Sequence, residues 1–239
     1  MHVAVIGSGR WSRVHLAALS ACGSTSNVTL VGRNEAAVQR LMSEFKVVGK
    51  GTTDLAAALN DPSVDVADIV LPHHLHYQVS LLALQAGKNV ICEKPASLSL
   101  DQFDELLVQA QQNDLRFLVV MNQLYHPLNQ RVQEMVDSGA VGRPFLLVEN
   151  DYSNHASHYR DPSSWRTRLE TAGGGVLIDG GYHMIYKQLA WLASQGYPSW
   201  VSAEAAQLAI EPGGAAVPEL GEDFVSYNCG YASSLRINS

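Results

Sequence analysis

The sequence predicts an α/β protein: a doubly wound parallel sheet, followed by a smaller α+β domain with an antiparallel or mixed sheet. Three observations predict it. The chain opens with an apolar run, a glycine turn and a helical pattern (HVAVIGSGRWSRVHLAALSA, residues 2–21). Strand-like and helix-like segments then alternate as far as Asn122, the signature of a parallel sheet with crossover helices. Beyond that point the alternation stops, giving way to a helix, a strand, a long polar loop, a glycine-rich helix and two further strand regions.

Each element has a local cause. Val3–Ile6 is a buried strand, and Gly7-Ser8-Gly9 is the turn that follows it. Gly7 allows a tight bend, Gly9 lets backbone N–H groups approach a phosphate, and Ser12 is small enough to keep helix and sheet close. A pyrophosphate on the helix N-terminus fits this arrangement, with Ser8, Arg10 and Trp11 on the same turn. NVTLVGR reads as a strand and NEAAVQRLMSEF as a helix capped by Asn34. TDLAAALND is a short helix capped near Thr53 or Asp54, and VADIVLP a buried strand ending before Pro72. HYQVSLLALQAG is a helix closed by Gly87. NVICEKP, SLDQFDELLVQAQQN and RFLVVMN follow as strand, helix and strand. These segments make residues 1–122 a dinucleotide-binding Rossmann domain, leaving 123–239 as an α+β substrate domain. There a helix runs from about Pro127 to Ser138, a strand follows Pro144, a helix follows Gly175, and strands lie near 200–210 and 223–238. EPGGAAVPELGED, between those strands, reads as a Gly/Pro-rich loop.

The end of the second strand selects the cofactor: an acid there holds a ribose 2′-hydroxyl, an arginine accommodates a 2′-phosphate. The residues are Gly32, Arg33 and Asn34, with no acid before Glu35. This favours NADP over NAD.

Bulk properties exclude other classes. The 239 residues are 46% hydrophobic and 16% charged, with a net charge of −7 and no Lys/Arg block, which argues against nucleic acid or an anionic membrane as partner. No apolar run has the length of a membrane span. A strand starting at His2 leaves no room for a signal peptide. Three widely separated cysteines, Cys22, Cys92 and Cys229, read as reduced, partly buried thiols. A cytoplasmic location is expected.

LPHHLHYQVSLLALQAGKNVICEKPASLSLDQFDELL, taken with the opening glycine turn and GGGVLIDGGYH at 173–183, resembles the Gfo/Idh/MocA oxidoreductases, NAD(P)-dependent sugar and cyclitol dehydrogenases. The Pro72–His76 segment, Glu93-Lys94-Pro95, SGAVGRP (138–144) and SSWR (163–166) fit in order and spacing. The resemblance implies Lys94 as the catalytic lysine, Asp179 and His183 as an aspartate–histidine pair, and Gly7 and Gly9 as the cofactor turn. It also implies that Leu71, Pro72, His73, His76 and Glu93 lie beside the nicotinamide end of the cofactor, that the Lys94–Pro95 peptide is cis, and that the protein is a homo-oligomer, dimer or tetramer. His73 stands where many members have Asn, and Tyr186 where many have Asp. The chain also ends at Ser239, before the further strands and closing helix of typical members, and so reads as truncated relative to them.

The chemistry of these side chains agrees with such a role. Pro95 keeps Lys94 extended just past a strand end, where ligands bind. Asp179 and His183 are four apart, so on a helix they share a face, and a carboxylate beside an imidazole orients the ring and favours its charged form. The expected reaction is hydride transfer between nicotinamide and a hydroxyl or keto carbon of a sugar, nucleotide sugar or cyclitol. His183 would be the general acid/base, Asp179 its orienter, and Lys94 the group that polarises the reacting oxygen. A non-catalytic cofactor-binding sensor, and an imine or dihydrodiol-type enzyme of the same family, are the alternatives. Asn122 and the polar-aromatic loop carrying Tyr152, His155, Tyr159, Arg160, Trp165 and Arg166 suit hydroxyl recognition and sugar stacking. His73, His74 and His76, and His155 and His158, lack the Cys or acidic companions of a metal site, so no metal is expected.

Overall fold

The computed structural model describes residues 1–151, 164–208, 221–232 and 236–238. The chain divides into two compact units, Met1–Val120 and Met121–Ser239.

In the first unit, β1 (His2–Ile6), β2 (Asn27–Val31), β3 (Val48–Thr52), β4 (Val66–Ile69), β5 (Asn89–Cys92) and β6 (Phe117–Val119) form one sheet of order β3-β2-β1-β4-β5-β6. Every pairing is parallel. The crossover helices are α1 (Ser12–Ala21), α2 (Glu35–Glu44), α3 (Leu55–Asn60), α4 (His73–Gln85) and α5 (Leu100–Gln112). Asn34, Asp54 and Ser99 cap α2, α3 and α5 by accepting from the backbone N–H three residues on. Apolar residues fill both faces of the sheet: Val3, Val5, Leu16, Leu30 and Leu41 gather in one cluster, Ile69, Leu84, Val90 and Leu106 in the other. Burying each such side chain contributes about 1.5–3 kcal/mol.

Strand β3 has no counterpart among the elements expected from the sequence. Its VGKGT lacks the branched run that marks a strand, and tertiary packing makes it one. A Cβ on Gly51 would overlap Met42 and Val38 of α2, so the helix packs directly on the strand backbone.

The second unit starts with a 3₁₀ turn (Asn122–Tyr125) and α6 (Pro127–Asp137). Strands β7 (Leu146–Val148), β8 (Pro198–Ala206), β9 (Phe224–Tyr231) and β10 (Arg236–Asn238) form a mixed sheet of order β7-β10-β9-β8. β10 runs parallel to β7 and antiparallel to β9. The strand region expected near 223–238 therefore divides into two strands that pair with each other.

The helix expected after Gly175 is also divided. Leu177–Gly181 is a π-helical turn, and α7 (Tyr182–Trp191) continues from it. Glu222 anchors its start: the carboxylate accepts from Gly175 N at 2.9 Å and Leu177 N at 3.0 Å, and its carbonyl accepts from Val176 N at 2.8 Å. This glycine-rich helix start is therefore filled by a side chain of the protein, rather than open to a ligand. A Cβ on Gly175 would overlap the Glu222 backbone, which is why glycine stands there. Leu192, Tyr227, Cys229 and Tyr231 form the core between α7 and the sheet. Gly175→Ala is expected to destabilise the second unit by about 2 kcal/mol or more, measured by denaturant unfolding, because two backbones must part.

Candidate active site

Strand order reverses between β1 and β4, so the chain leaves their carboxyl ends in opposite directions and opens a crevice there. The glycine turn lies at this point. Gly7 has φ 134°, and a Cβ on it would overlap the Val70 carbonyl oxygen at the end of β4. Gly9 is exposed, with nothing within 4 Å of where its Cβ would stand. Trp11, at the N-cap of α1, offers no side-chain cap, and the buried Ser12 Oγ has no hydrogen-bond partner among the described residues. A bare helix terminus, an open glycine and an unsatisfied hydroxyl fit the pyrophosphate of a dinucleotide. Ser8 packs against Gly32, where any side chain would overlap its hydroxyl, and Arg10 is exposed. At the end of β2 Arg33 is exposed, while Asn34 Oδ1 is committed to capping α2 through Ala37 N at 3.0 Å.

The neighbouring strand ends carry the other candidates of this unit. Leu71 and Pro72 follow β4, and Pro72 is the N-cap of α4. His73 is buried and tilted against His76, with ring centroids 5.8 Å apart. His76 is fully buried, its Nδ1 2.6 Å from the Pro95 carbonyl and its Nε2 2.7 Å from the Leu71 carbonyl. It braces two loops against each other, and burial pushes its pKa down. Lys94 follows β5, is buried, and precedes a cis peptide bond to Pro95.

Glu93 ties these parts together. Its Oε1 accepts from Trp11 Nε1 at 2.8 Å and lies 3.0 Å from His15 Nε2; its Oε2 accepts from Lys94 N at 3.2 Å. The other ring nitrogen of His15 lies 2.9 and 3.0 Å from the two Asp68 oxygens. Asp68 and Glu93 are both buried. Burial of the His15 ring lowers its pKa, but hydrogen bonds to Asp68 and Glu93 outweigh that and raise it to about 9. Burial of Glu93 disfavours its charge, yet hydrogen bonds from His15 and Trp11 leave its pKa lowered. Neither His15 nor Asp68 is among the site residues expected from the sequence. The signal was one acid in the middle of an otherwise apolar strand, VADIV.

The second unit holds its own group. Arg166 Nε donates to Asp179 Oδ2 at 3.1 Å, and its guanidinium lies 4.3 Å over the Trp165 ring. His183 Nδ1 lies 2.7 Å from the Tyr186 hydroxyl. That hydroxyl accepts from Gln123 N at 3.1 Å and lies 3.4 Å from Asn122 Oδ1. Tyr186 is thus the buried hub joining His183 to the 3₁₀ turn at Asn122. The step from Asp179 to His183 crosses the π-helical turn, so their four-residue spacing is not that of a regular α-helix. Tyr152, His155, Tyr159 and Arg160 lie outside the described residues. Among the described residues no group of three or more His, Cys, Asp or Glu side chains has the geometry to hold a metal.

Residues 1–121 match the oxidoreductase family with an NAD-binding Rossmann fold, and residues 129–237 match the GFO/IDH/MocA C-terminal domain. The chain belongs to the Gfo/Idh/MocA oxidoreductase family.

Among relatives in this family, levoglucosan dehydrogenase of Pseudarthrobacter phenanthrenivorans is 28% identical over 56% of this chain and 34% of its own length. D-xylose dehydrogenase of Paenarthrobacter nicotinovorans is 32% identical over 66% of this chain and 41% of its own. Inositol 2-dehydrogenase/D-chiro-inositol 3-dehydrogenase of Lactiplantibacillus plantarum is 27% identical over 74% of this chain and 51% of its own. The chain spans about half or less of the length of these Gfo/Idh/MocA relatives. A levoglucosan dehydrogenase solved with NADH and levoglucosan superposes over all of this chain and 65% of its own, with a TM-score of 0.87 at 23% identity. An NAD-binding oxidoreductase from Klebsiella pneumoniae covers the same shares, with a TM-score of 0.85 at 24% identity. These likenesses show the fold. Among the described residues no helix is long and apolar enough to cross a membrane.

The His15 cluster carries a pH dependence. A histidine whose folded pKa lies above its unfolded value stabilises the fold fully below about 6.5, and that contribution is lost as pH rises through about 9. Unfolding of the first unit is expected to lose on the order of 3 kcal/mol across that interval. Thermal melts from pH 6 to pH 10, with His15→Gln as the non-titrating control, check it.

Proposed function

We propose that this chain is an NAD(P)-dependent oxidoreductase acting on CH–OH groups of small polyhydroxylated molecules: sugars, nucleotide sugars or cyclitols. One observation carries the reading. A phosphate-fitting turn after β1, the Leu71–Pro72 loop after β4 and a buried lysine after β5 stand at the carboxyl ends of neighbouring strands. The dehydrogenases among the relatives, which act on levoglucosan, xylose and inositol, support the substrate class.

The nicotinamide, when bound, supplies the hydride acceptor or donor. Gly7, Ser8, Gly9, Arg10 and Trp11 would hold the pyrophosphate by backbone N–H groups and the α1 terminus, with Pro72 and His73 toward the nicotinamide end. Lys94 binds and polarises the reacting oxygen, and its backbone is held by Glu93. His183 takes the hydroxyl proton during oxidation and returns it during reduction, its ring fixed by the Tyr186 hydroxyl. Asp179 positions Arg166, which with Trp165 and Asn122 suits recognition of further hydroxyls. The protein is proposed to be cytoplasmic, consistent with its free Cys22, Cys92 and Cys229, of which Cys22 is exposed rather than part-buried as expected. Exposed Leu146, Val148, Trp200, Val201 and Phe224 on the second unit's sheet support association as a homo-oligomer, dimer or tetramer.

The test is a screen of NAD⁺ and NADP⁺ separately against sugars, inositols and nucleotide sugars, followed by absorbance of the reduced cofactor. Turnover with at least one supports the reading; tight cofactor binding with no turnover on any of them would sink it in favour of a sensor. On an active substrate, His183→Ala is expected to lower kcat by about 10²-fold or more. Arg33 is proposed to meet a 2′-phosphate, favouring NADP. Arg33→Asp should then raise the KM for NADPH by about tenfold more than that for NADH, and equal effects would refute the preference.

A further inference from the structure

We propose that His15 is a positioning residue: as an imidazolium clamped between Asp68 and Glu93, it fixes the Glu93 carboxylate that holds both the Trp11 end of the glycine turn and the Lys94 backbone. This rests on Lys94 acting at the reacting oxygen, as proposed above.

Both His15 ring nitrogens face carboxylate oxygens, Nδ1 facing Asp68 at 2.9 and 3.0 Å and Nε2 facing Glu93 at 3.0 Å. Ionised carboxylates only accept. Two donors are therefore required, and only the cationic ring has two. The cation also offsets the cost of two buried carboxylates, which alone would repel each other in a poorly solvated site. The charged groups facing His15 are Asp68 from β4 and Glu93 after β5; beyond them, Cys92 feels both carboxylates, and His76 feels the charges of Glu93 and Lys94.

Glu93 is then fully used inside the protein. Oε1 takes the Trp11 and His15 donors, and Oε2 takes the Lys94 N–H. The resemblance implies Glu93 beside the cofactor; its geometry makes it a strut between the cofactor turn and the proposed catalytic lysine. His15 sets the rotation of that strut, because its ring is held from the far side by Asp68. Loss of His15 frees the carboxylate to turn away from Trp11 and Lys94, and Lys94 loses its fixed approach.

Two measurements test this. Ring ¹⁵N shifts of the labelled, cofactor-free protein should show one histidine that is doubly protonated at neutral pH and loses its proton only near pH 9. This histidine should be absent from His15→Gln. If the ring that disappears in His15→Gln does not stay doubly protonated above neutral pH, the clamp is overturned, whatever the enzyme's activity. Kinetically, His15→Gln should lower kcat by about tenfold or more in the otherwise native enzyme, yet add little to Lys94→Ala, since it acts through that lysine. An equal further loss in the Lys94→Ala background would overturn the positioning role. If His15→Gln does not fold, Trp11→Phe removes one donor to the same Glu93 oxygen and carries the same kinetic comparison. Absence of turnover on every substrate overturns the activity reading and leaves the ¹⁵N result to decide the clamp.

Discussion

The close approach of Gly7 to the Val70 carbonyl is the constraint from which the first unit's chemistry follows. Gly7 N donates to Val31 O at 2.8 Å, and Val70 N donates to Ile6 O at 2.9 Å, so the end of β1 is pinned between β2 and β4. No side chain fits at Gly7, and its φ suits glycine. With the turn held there, α1 must start over the crevice between β1 and β4, its N–H groups facing outward. The same geometry carries His15, one turn into α1, over Asp68 on β4.

From that point the polar interior organises itself. Asp68 is an acid in a strand whose neighbours are all buried, and it is tolerable only because His15 answers it. His15 in turn reaches Glu93, and Glu93 reaches back to Trp11 and forward to Lys94. His76 does a similar job with carbonyls, bridging the loops after β4 and β5. Cofactor turn and lysine loop are thus set by a part-buried histidine, His15, and a buried one, His76, that themselves need touch no substrate.

In the second unit the glycines follow a different logic. Gly175 and Gly221 let the 221–222 segment lie directly on the start of the helix, where Glu222 occupies the place that a ligand would otherwise use. The π-helical turn that follows changes the direction in which Asp179 and His183 leave the backbone. Tyr186 sits below His183 and contacts Gln123 and Asn122, so one hydroxyl links helix α7 to the start of the unit.

The amino-acid sequence by itself determined the strand–helix alternation, the glycine turn, the caps at Asn34 and Asp54, and the lysine at a strand end. Those features are local: periodicity, φ preference and side-chain reach along the chain decide them. Only the tertiary structure decided that VGKGT is a strand, because α2 packing on Gly51, not β propensity, puts it there. It also decided that the 223–238 region folds into two strands, since pairing with β7 and β8 requires both. And it alone joined His15, Asp68 and Glu93, residues 53 and 78 positions apart from His15 along the chain. Such a cluster leaves no periodic trace in sequence, because its energy comes from burying opposite charges together, which only the assembled sheet and helix can do.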